Sequence, residues 1–442
     1  MRLQWSENLN GRSNFQTINF QIFFYIIFKL AELIFTANTK EKKMKKRKIL
    51  LSVFLIAGLI SGLLGIKTIF SAPPQVKARK IVVFNEDVGE EVQKNLLKKF
   101  DAEDLKNLKL INGRAAVLSE KAVKNLSQSP EIKRIDDDII VYALEKLSEL
   151  GKKPKGSATQ PSETLPWGID RIDADLVWGV TTGDTVKVAV IDTGIDLAHP
   201  DLKNNIKGGY NAINSRRSAN DDNGHGTHVA GIIGAIDNEI GVIGVGPKIN
   251  LYAVKVLNRN GSGYLSDIIE GLDWCIDNGM QVVNMSLGTS SYVESFEDAV
   301  KRVEAAGIVQ VAAAGNSGPY DDTVNYPAKF PEVIAVSAID KTDTITSWSS
   351  RGPEVDLAAP GVSIYSTYKG SSYKILSGTS MASPHVAGAA ALVLDVNSGY
   401  TSEQVKQKLL KTADDLGAPG PDNLYGAGLV DAEEAVTGIE TE

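Results

Sequence analysis

The 442-residue sequence contains a single cysteine, Cys275, and only four histidines. One cysteine excludes an intramolecular disulfide, although bacterial proteins are often exported without disulfides. Basic residues are also too few to balance the acidic ones, since 47 Lys and Arg face 54 Asp and Glu and leave a net charge of −7. This acidic excess argues against nucleic acid as a partner. The length predicts two or three domains with ample core.

Residues 44–72 have the layout of a secretory signal peptide. Four basic residues, 45–48, precede an apolar run from Ile49 to Ile66. This run is also close to the shortest length that spans a membrane, so an uncleaved anchor is the alternative. In either case we expect the rest of the chain to be secreted or at the extracellular surface. Residues 1–43 do not fit a signal peptide, so we expect Met44 to be the true start; a first membrane segment is the alternative.

Residues 79–144 predict a small α+β unit with the order β-α-β-α-β, which is typical of a ferredoxin-like module. Val92, Leu96 and Leu97 lie at helical spacing and predict one buried helix face. Ser119 is placed to cap the second helix. The following residues, 145–162, are rich in Lys, Gly, Pro and Ser and are predicted to be an exposed linker.

From about residue 165 the sequence alternates short β-branched runs with helical stretches. Strands are expected at 186–191, 251–256, 281–286 and 308–313. The clearest helix is expected at 265–278, with Cys275 on its buried face. This alternation predicts a parallel sheet covered by helices on both faces. Catalytic groups in such sheets lie beyond the carboxyl ends of the strands.

His225 and His228 lie three residues apart in the stretch DDNGHGTHVAG. Such a pair can bind a metal, shuttle a proton or be purely structural. Zinc-protease helices use H-E-x-x-H, whereas Gly226 and Thr227 separate the histidines here, so the metal signal is weak. A proton shuttle requires a nucleophile and a carboxylate from elsewhere in the chain.

Asp192 and Ser380 can supply these two groups. Asp192 follows a predicted strand in VIDTGID, and Ser380 stands at a helix start in GTSMASPHVAG. Each alone is equally explained as a turn or capping residue. Together with a histidine they predict a triad in which Ser attacks, His moves the proton and Asp orients His. The chain order Asp, His, Ser differs from that of α/β-hydrolases, which also need a G-x-S-x-G turn.

The motifs AVIDTGID, HGTHVAG and GTSMASPHVAG together resemble those of the subtilisin family of serine proteases, the subtilases. The resemblance implies a three-layer α/β catalytic domain at 163–438 and identifies 79–144 with the family's inhibitory propeptide. It implies that His225 is the base and that His228 is structural. It also implies that Asn316 and the backbone N–H of Ser380 stabilise the oxyanion.

The resemblance further implies that a polypeptide substrate binds as an extended strand between two edges of the cleft. The residues expected at these edges and in the pockets are Ser262, Gly263, Leu265, Ser286, Leu287, Gly288, Gly315 and Asn325. Leu144 is expected in the first pocket, as the processing site, and Val141 in the fourth. We expect Asn325 to narrow the first pocket against the largest aromatic side chains.

A structural Ca²⁺ site is also implied by the resemblance. Its expected ligands are the side chains of Glu163, Asp201 and Asn238 and the backbone carbonyls of Ile236, Ile240 and Val242. All are oxygen donors of the kind Ca²⁺ prefers. Cleavage after Leu144 is expected to let Glu163 move to this loop. Glu354 and Asp356 are candidates for a second, weaker cation site.

The sequence therefore predicts an exported, calcium-stabilised serine endopeptidase. We expect it to be a monomer, made as a self-processing precursor that its own propeptide inhibits. One alternative is a subtilisin-like module that binds without catalysis, although the presence of all four catalytic residues argues against it. The other is a membrane-tethered processing protease.

Overall fold

The computed structural model describes residues 76–145 and 160–439. The predicted signal peptide or anchor at 44–72, the segment 1–43 and most of the predicted linker lie outside the described residues. Both described ranges belong to one compact unit, Val76–Glu442. Within them, no helix is both long enough and apolar enough to cross a bilayer.

The first described range forms an antiparallel sheet with two helices. Its elements are β1 (Lys77–Phe84), α1 (Glu90–Lys99), β2 (Glu103–Leu108), β3 (Gly113–Ser119), α2 (Glu120–Leu126) and β4 (Ile132–Asp137), with a 3₁₀ turn at Lys109–Ile111. The strands lie in the order β2-β3-β1-β4, and every pair is antiparallel. This is the split β-α-β arrangement of a ferredoxin-like module, with one more strand than the sequence predicted. The missed strand, β2, reads EDLKNL, and its apolar pattern is weak because it lies at the sheet edge.

Helices α1 and α2 cover one face of this sheet. Helix α1 buries Gln93, Leu96 and Leu97, whereas Val92 is 49% exposed, so the prediction that Val92 lies on the buried face is wrong. Gln93 is buried on that face instead, since its side-chain amide is satisfied by hydrogen bonds to the Val88 carbonyl and to Asn112 Oδ1. Helix α2 begins as predicted, with Ser119 Oγ accepting a hydrogen bond from the Ala122 amide at 3.2 Å.

The second range is built on a seven-stranded parallel sheet. Its strands are β6 (Lys187–Asp192), β7 (Ile206–Asn211), β8 (Asn250–Lys255), β10 (Val282–Met285), β12 (Val309–Ala313), β13 (Ile334–Ile339) and β14 (Leu357–Pro360). They lie in the order β14-β13-β12-β10-β6-β8-β7, and every pair is parallel. The α/β fold class predicted from the sequence is confirmed.

Helices cover both faces of the parallel sheet and form two apolar cores. One core contains residues of α3 (Trp167–Arg171), α4 (His225–Gly234), α7 (Thr379–Val396), α8 (Ser402–Lys411) and α9 (Ala432–Thr437). The other contains residues of α5 (Leu265–Asp277) and α6 (Glu294–Ala305), including the buried Cys275. A hairpin of β15 (Ile364–Tyr368) and β16 (Ser372–Leu376) packs against α4, and a 3₁₀ turn lies at Asp175–Val177.

Candidate active site

Asp192 and His225 form a buried pair at the carboxyl end of strand β6, next to the central strand. His225 Nδ1 lies 2.8 Å from Asp192 Oδ1 and 2.9 Å from Oδ2. His225 is the first residue of α4, and Gly226 lets the helix approach the strand. A Cβ at position 226 would lie 2.2 Å from the Gly194 carbonyl oxygen and 3.0 Å from Asp192 Cβ.

The environment of His225 favours its protonated form. Burial opposes that form, but the negative charge of Asp192 and its hydrogen bond outweigh burial, so the pKa of His225 is raised above its usual value. The imidazolium that would form during acyl transfer is therefore stabilised by Asp192.

The other three histidines are fully buried and bond to backbone carbonyls. His228 Nε2 donates to the carbonyls of Ile364 and Lys374 at 3.1 and 3.0 Å, and burial lowers its pKa to about 3. His385 Nδ1 donates to Met381 O, and burial lowers its pKa to about 4. Burial also lowers the pKa of His199. All three are neutral at pH 7 and hold neighbouring segments together.

Ser380 is the second residue of α7. Its Oγ donates to the Ser286 carbonyl at 3.0 Å. Within the described part of the chain, His225 Nε2 has no hydrogen-bond partner. The serine and the histidine are therefore not hydrogen-bonded to each other in this conformation.

The cleft is filled by a short strand from the first described range. Strand β5 (Ile140–Ala143) lies between β9 (Ser262–Tyr264) and β11 (Leu287–Gly288) and runs antiparallel to both. The sequence predicted one continuous closing strand here. Instead the chain leaves the ferredoxin-like sheet after β4 and enters the cleft as β5. The two predicted cleft edges are thus the strands on either side of it.

Leu144 follows β5 and makes polar contacts at both ends of its peptide unit. Its amide donates to the Ser286 carbonyl at 3.2 Å, and its carbonyl accepts a hydrogen bond from Asn316 Nδ2 at 2.6 Å. Its side chain lies beside Gly288, where a Cβ would come within 2.9 Å of Leu144 Cδ1 and 3.1 Å of Asn325 Cβ. A Cβ at Gly315 would likewise lie 3.1 Å from Asn325 Cγ. The predicted first-pocket residues are therefore brought together around Leu144.

Val141 and Gly263 lie further along the cleft. Val141 is fully buried in the same apolar core as Leu265, at the predicted fourth pocket. At Gly263 a Cβ would lie 2.1 Å from the Val256 carbonyl oxygen, so the peptidase backbone itself requires glycine at this position.

Thr379 orients the Asn316 amide, a role that the sequence did not reveal. The Thr379 amide and Oγ1 both donate to Asn316 Oδ1 at 3.0 Å. With Oδ1 held in this way, Nδ2 is turned towards the Leu144 carbonyl. The position of Thr379 next to Ser380 was the one available signal.

Two aspartates before β5 bind the N-termini of α5 and α6. Asp138 accepts hydrogen bonds from the Ser266 amide and from Ser266 Oγ, both at 2.9 Å. Asp136 accepts from the Ser295 amide at 3.1 Å and from Ser295 Oγ. A carboxylate is stabilised at a helix N-terminus by the free amides and the helix dipole. These contacts anchor the chain on each side of the turn into the cleft.

The side chains predicted to bind Ca²⁺ lie together. Asn238 Nδ2 donates to Asp201 Oδ1 at 3.0 Å, and the Asn238 amide donates to Glu163 Oε1 at 2.8 Å. Glu163 is thus already at the loop in the uncut chain, so the expectation that cleavage brings it there is wrong. Burial, with a contribution from the charge of Glu163, raises the pKa of Asp201 to about 6.

These residues fit a bound cation. Asp201 is fully buried, and a cation would offset the cost of burying its charge beside Glu163. No backbone amide in the described ranges donates to the carbonyl oxygens of Ile236, Ile240 or Val242, which leaves them free to accept a metal. The described residues hold no group of three or more His, Cys, Asp or Glu arranged for a metal, so a cation here would need amide and carbonyl oxygens in addition to the two carboxylates.

The candidate second cation site is occupied by lysines. Lys406 Nζ lies 3.0 Å from Asp356 Oδ1 and also donates to the carbonyls of Pro331 and Val333. Lys329 Nζ lies 3.1 Å from Glu354 Oε1. An ammonium group therefore already supplies the positive charge at each carboxylate, in place of a metal ion.

Comparison with known proteins identifies relatives over most of the chain. The model of the subtilase family matches residues 183–428. The chain is 43% identical over 367 residues to a thermostable alkaline protease of Halalkalibacterium halodurans, covering 83% of this chain and 93% of that protein. It is 44% identical over 334 residues to subtilisin E of Bacillus subtilis, covering 75% and 82%. An alkaline protease of Alkalihalobacillus alcalophilus is 41% identical over 376 residues, covering 83% and 94%.

Proposed function

The chain belongs to the subtilase family of serine proteases, and we propose that it is an exported endopeptidase made as a self-processing precursor. The triad we propose is Asp192, His225 and Ser380. The observation that carries the proposal is the position of Leu144. Its amide and the Ser380 hydroxyl donate to the same carbonyl, that of Ser286, while its own carbonyl accepts from Asn316 at 2.6 Å. The nucleophile and a candidate scissile residue are therefore neighbours.

The proposed reaction is acyl transfer through a covalent intermediate. Ser380 Oγ turns from the Ser286 carbonyl to His225 Nε2 and gives its proton to that nitrogen. The oxygen then attacks the carbonyl carbon of the scissile residue, which is Leu144 in the first turnover. Asn316 Nδ2 and the Ser380 amide stabilise the oxyanion. His225 then donates the proton to the leaving amine, which in the first turnover is the nitrogen of Glu145. Water then attacks the acyl-enzyme carbonyl with His225 as the base, and His225 returns the proton to Ser380 as the carboxylic acid product leaves.

Maturation follows from the same contacts. We propose that cleavage after Leu144 separates a propeptide, 79–144, from a linker, 145–162, and a peptidase domain, 163–438. After the cut, β5 would remain in the cleft. Asp138 and Asp136 would remain hydrogen-bonded to the N-termini of α5 and α6. The propeptide would then inhibit the enzyme until it is degraded, and polypeptides would become substrates afterwards.

We further propose a structural Ca²⁺ held by Asp201, Asn238 and Glu163 with the carbonyls of the 236–242 loop. Its role would be to stabilise the fold and not to take part in the reaction. Export is proposed from the signal-like segment 44–72. Retention of that segment would instead give a membrane-tethered form.

The experiment that tests the proposal compares wild type with Ser380→Ala by N-terminal sequencing and intact mass. Wild type should begin at Glu145 or further along the linker, whereas Ser380→Ala should accumulate uncut.

A fluorophosphonate probe should label wild type at Ser380. Absence of labelling in folded wild type would favour the binding-module alternative. Cleavage of Ser380→Ala at Leu144 in a protease-deficient host would contradict self-processing. Mature enzyme in the membrane fraction would favour the tethered form.

A further inference from the structure

We infer that Asn284 and Ser383 are positioning residues for the nucleophile Ser380 and act on it through Ser286. The inference deepens the proposed function and rests on it, because it assigns the support of the same catalytic serine. Neither Asn284 nor Ser383 belongs to the triad, the oxyanion donors or the substrate pockets.

A buried hydrogen-bond chain links these residues. Ser383 Oγ donates to Asn284 Oδ1 at 2.6 Å. Asn284 Nδ2 donates to Ser286 Oγ at 2.9 Å, and Ser286 Oγ donates to the Ser380 carbonyl at 2.9 Å. All four residues are fully buried.

The direction of this chain is fixed by the chemistry of its members. A hydroxyl has one proton, and a donor facing Ser286 Oγ leaves that proton free for the Ser380 carbonyl. The Asn284 amide supplies the donor, and its own oxygen is satisfied by Ser383. A flipped Asn284 would draw the Ser286 proton away and leave the Ser380 carbonyl without this contact.

The chain joins two elements that the active site must hold in register. Asn284 lies in the central strand β10, whereas Ser380 and Ser383 lie in the first two turns of α7. Ser286 connects them, and its carbonyl accepts both the Ser380 hydroxyl at 3.0 Å and the Leu144 amide at 3.2 Å. The orientation of one peptide group therefore sets the place of the nucleophile relative to the first substrate residue.

This arrangement matters because acyl transfer is sensitive to small displacements. A misplacement of about 1 Å can cost about 100-fold in rate. A buried polar chain is also costly unless every member is satisfied. Small apolar residues would pack the same space, so the geometry favours a positional role over simple filling.

The test compares Asn284→Asp, which cannot donate to Ser286 when ionised, with Ser383→Ala and its matched control Ser383→Thr, which keeps the hydroxyl. Mature enzymes are titrated for active sites, and kcat and KM are measured on a peptide containing the sequence around Leu144. We expect kcat per titrated site to fall by about 10- to 100-fold in Asn284→Asp and Ser383→Ala. KM and the affinity for the separate 79–144 peptide should change by less than about threefold, because the strand contacts on both sides of β5 remain. Ser383→Thr should keep kcat close to wild type.

Melting temperatures of the same variants separate position from stability. Unchanged kcat per titrated site with a lower melting temperature would overturn the inference, because it would show a structural role only. An equal loss in Ser383→Thr and Ser383→Ala would also overturn it, since the hydroxyl would then not matter. If wild type itself neither labels with fluorophosphonate nor cuts the peptide, the proposed function fails first, and the inference fails with it.

Discussion

The four histidines of this chain differ in the hydrogen-bond partners of their imidazole rings. His225 is hydrogen-bonded to a carboxylate, and its pKa is raised. The other three are hydrogen-bonded to backbone carbonyls, and their pKa values are lowered; they are His199, His228 and His385. Burial acts in the same direction on all four, so the charge of Asp192 makes the difference. Only a histidine with such a partner is suited to accept the serine proton.

The triad assignment predicts a loss of activity that is not additive. Ser380→Ala and His225→Ala should each lower kcat by about 10⁶-fold, a magnitude known from a subtilisin and carried over here. The double variant should be little worse, because the two residues act as a unit. The comparison is His228→Gln, which keeps a donor for the two carbonyls and should remain active. A folded but equally inactive His228→Gln would show that the choice of histidine is wrong.

The raised pKa of His225 predicts the acid limb of the pH profile. The base works only when neutral, so kcat/KM should fall as the pH drops through a value above the ordinary histidine value of about 6.5. Asp192→Asn removes the charge and leaves burial, which should shift the limb to lower pH and reduce kcat by about 10⁴-fold. The measurement is kcat/KM against pH on a neutral peptide. A wild-type limb below about 6.5 would contradict the role given to Asp192.

The sequence reveals single active-site residues better than it reveals their supports. Asp192 and Ser380 stand in short motifs near glycines, so the pattern predicted them as triad candidates, whereas the choice of His225 over His228 came from the resemblance to the family. Asn284 and Ser383 are 99 positions apart, and their relation exists only once β10 and α7 are packed. The resting contact of Ser380 with Ser286 was likewise not predictable, because it depends on one rotamer.

At the scale of elements, predictability mostly follows the strength of the apolar pattern, although β13, which reads IAVSAI, was not predicted. Strands β6, β8, β10 and β12 carry β-branched runs and were predicted to within a residue or two. Strand β7 reads IKGGYN and β14 reads LAAP, and both lie at the sheet edges, where glycine and proline are tolerated. The break between β4 and β5 was missed because two strands of different sheets follow each other directly.

The proposed Ca²⁺ site predicts a metal-dependent stability. A cation bound only by the folded protein stabilises it by mass action, by about 4 kcal/mol at a thousandfold excess over Kd. Excess chelator should therefore lower the melting temperature of Ser380→Ala, which cannot digest itself. Asp201→Asn should lower the response to Ca²⁺, because it removes the buried charge nearest Asn238. Unchanged melting in excess chelator would remove the site from the proposal.

The aspartates at the helix N-termini predict which contacts set the affinity of the proposed propeptide for the peptidase domain. Asp138→Asn removes a charge that accepts from Ser266 and should weaken inhibition by the separate 79–144 peptide by about tenfold. Asp137→Asn is the matched control. Asp137 pairs with Lys80 inside the propeptide, and its side chain is 67% exposed. Inhibition constants for the two peptides decide the matter, and an equal effect of both changes would contradict a role for the helix contact.

At the scale of the whole molecule, the proposed propeptide and the peptidase domain share a core. Ile81, Val83 and Leu108 belong to the same apolar cluster as α5 and α6. Lys106 adds ion pairs to Asp267 and Glu270 on α5. None of these contacts depends on the peptide bond after Leu144. Cutting that bond should therefore leave the two parts associated.

The shared core and the filled cleft together predict inhibition in trans. The separate 79–144 peptide should inhibit mature enzyme, because β5 and Leu144 would occupy the cleft as a product does. Leu144→Asp should weaken inhibition, since a charge would be desolvated in a pocket lined by Gly288 and the Asn325 side chain. The same change in the full-length precursor should slow its processing. Val141→Asp would test the interface itself, whereas Tyr142→Asp is its control, because Val141 is fully buried and Tyr142 is 54% exposed. Failure of the unchanged peptide to inhibit, or full inhibition by the Leu144→Asp peptide, would mean that β5 does not act as the first substrate.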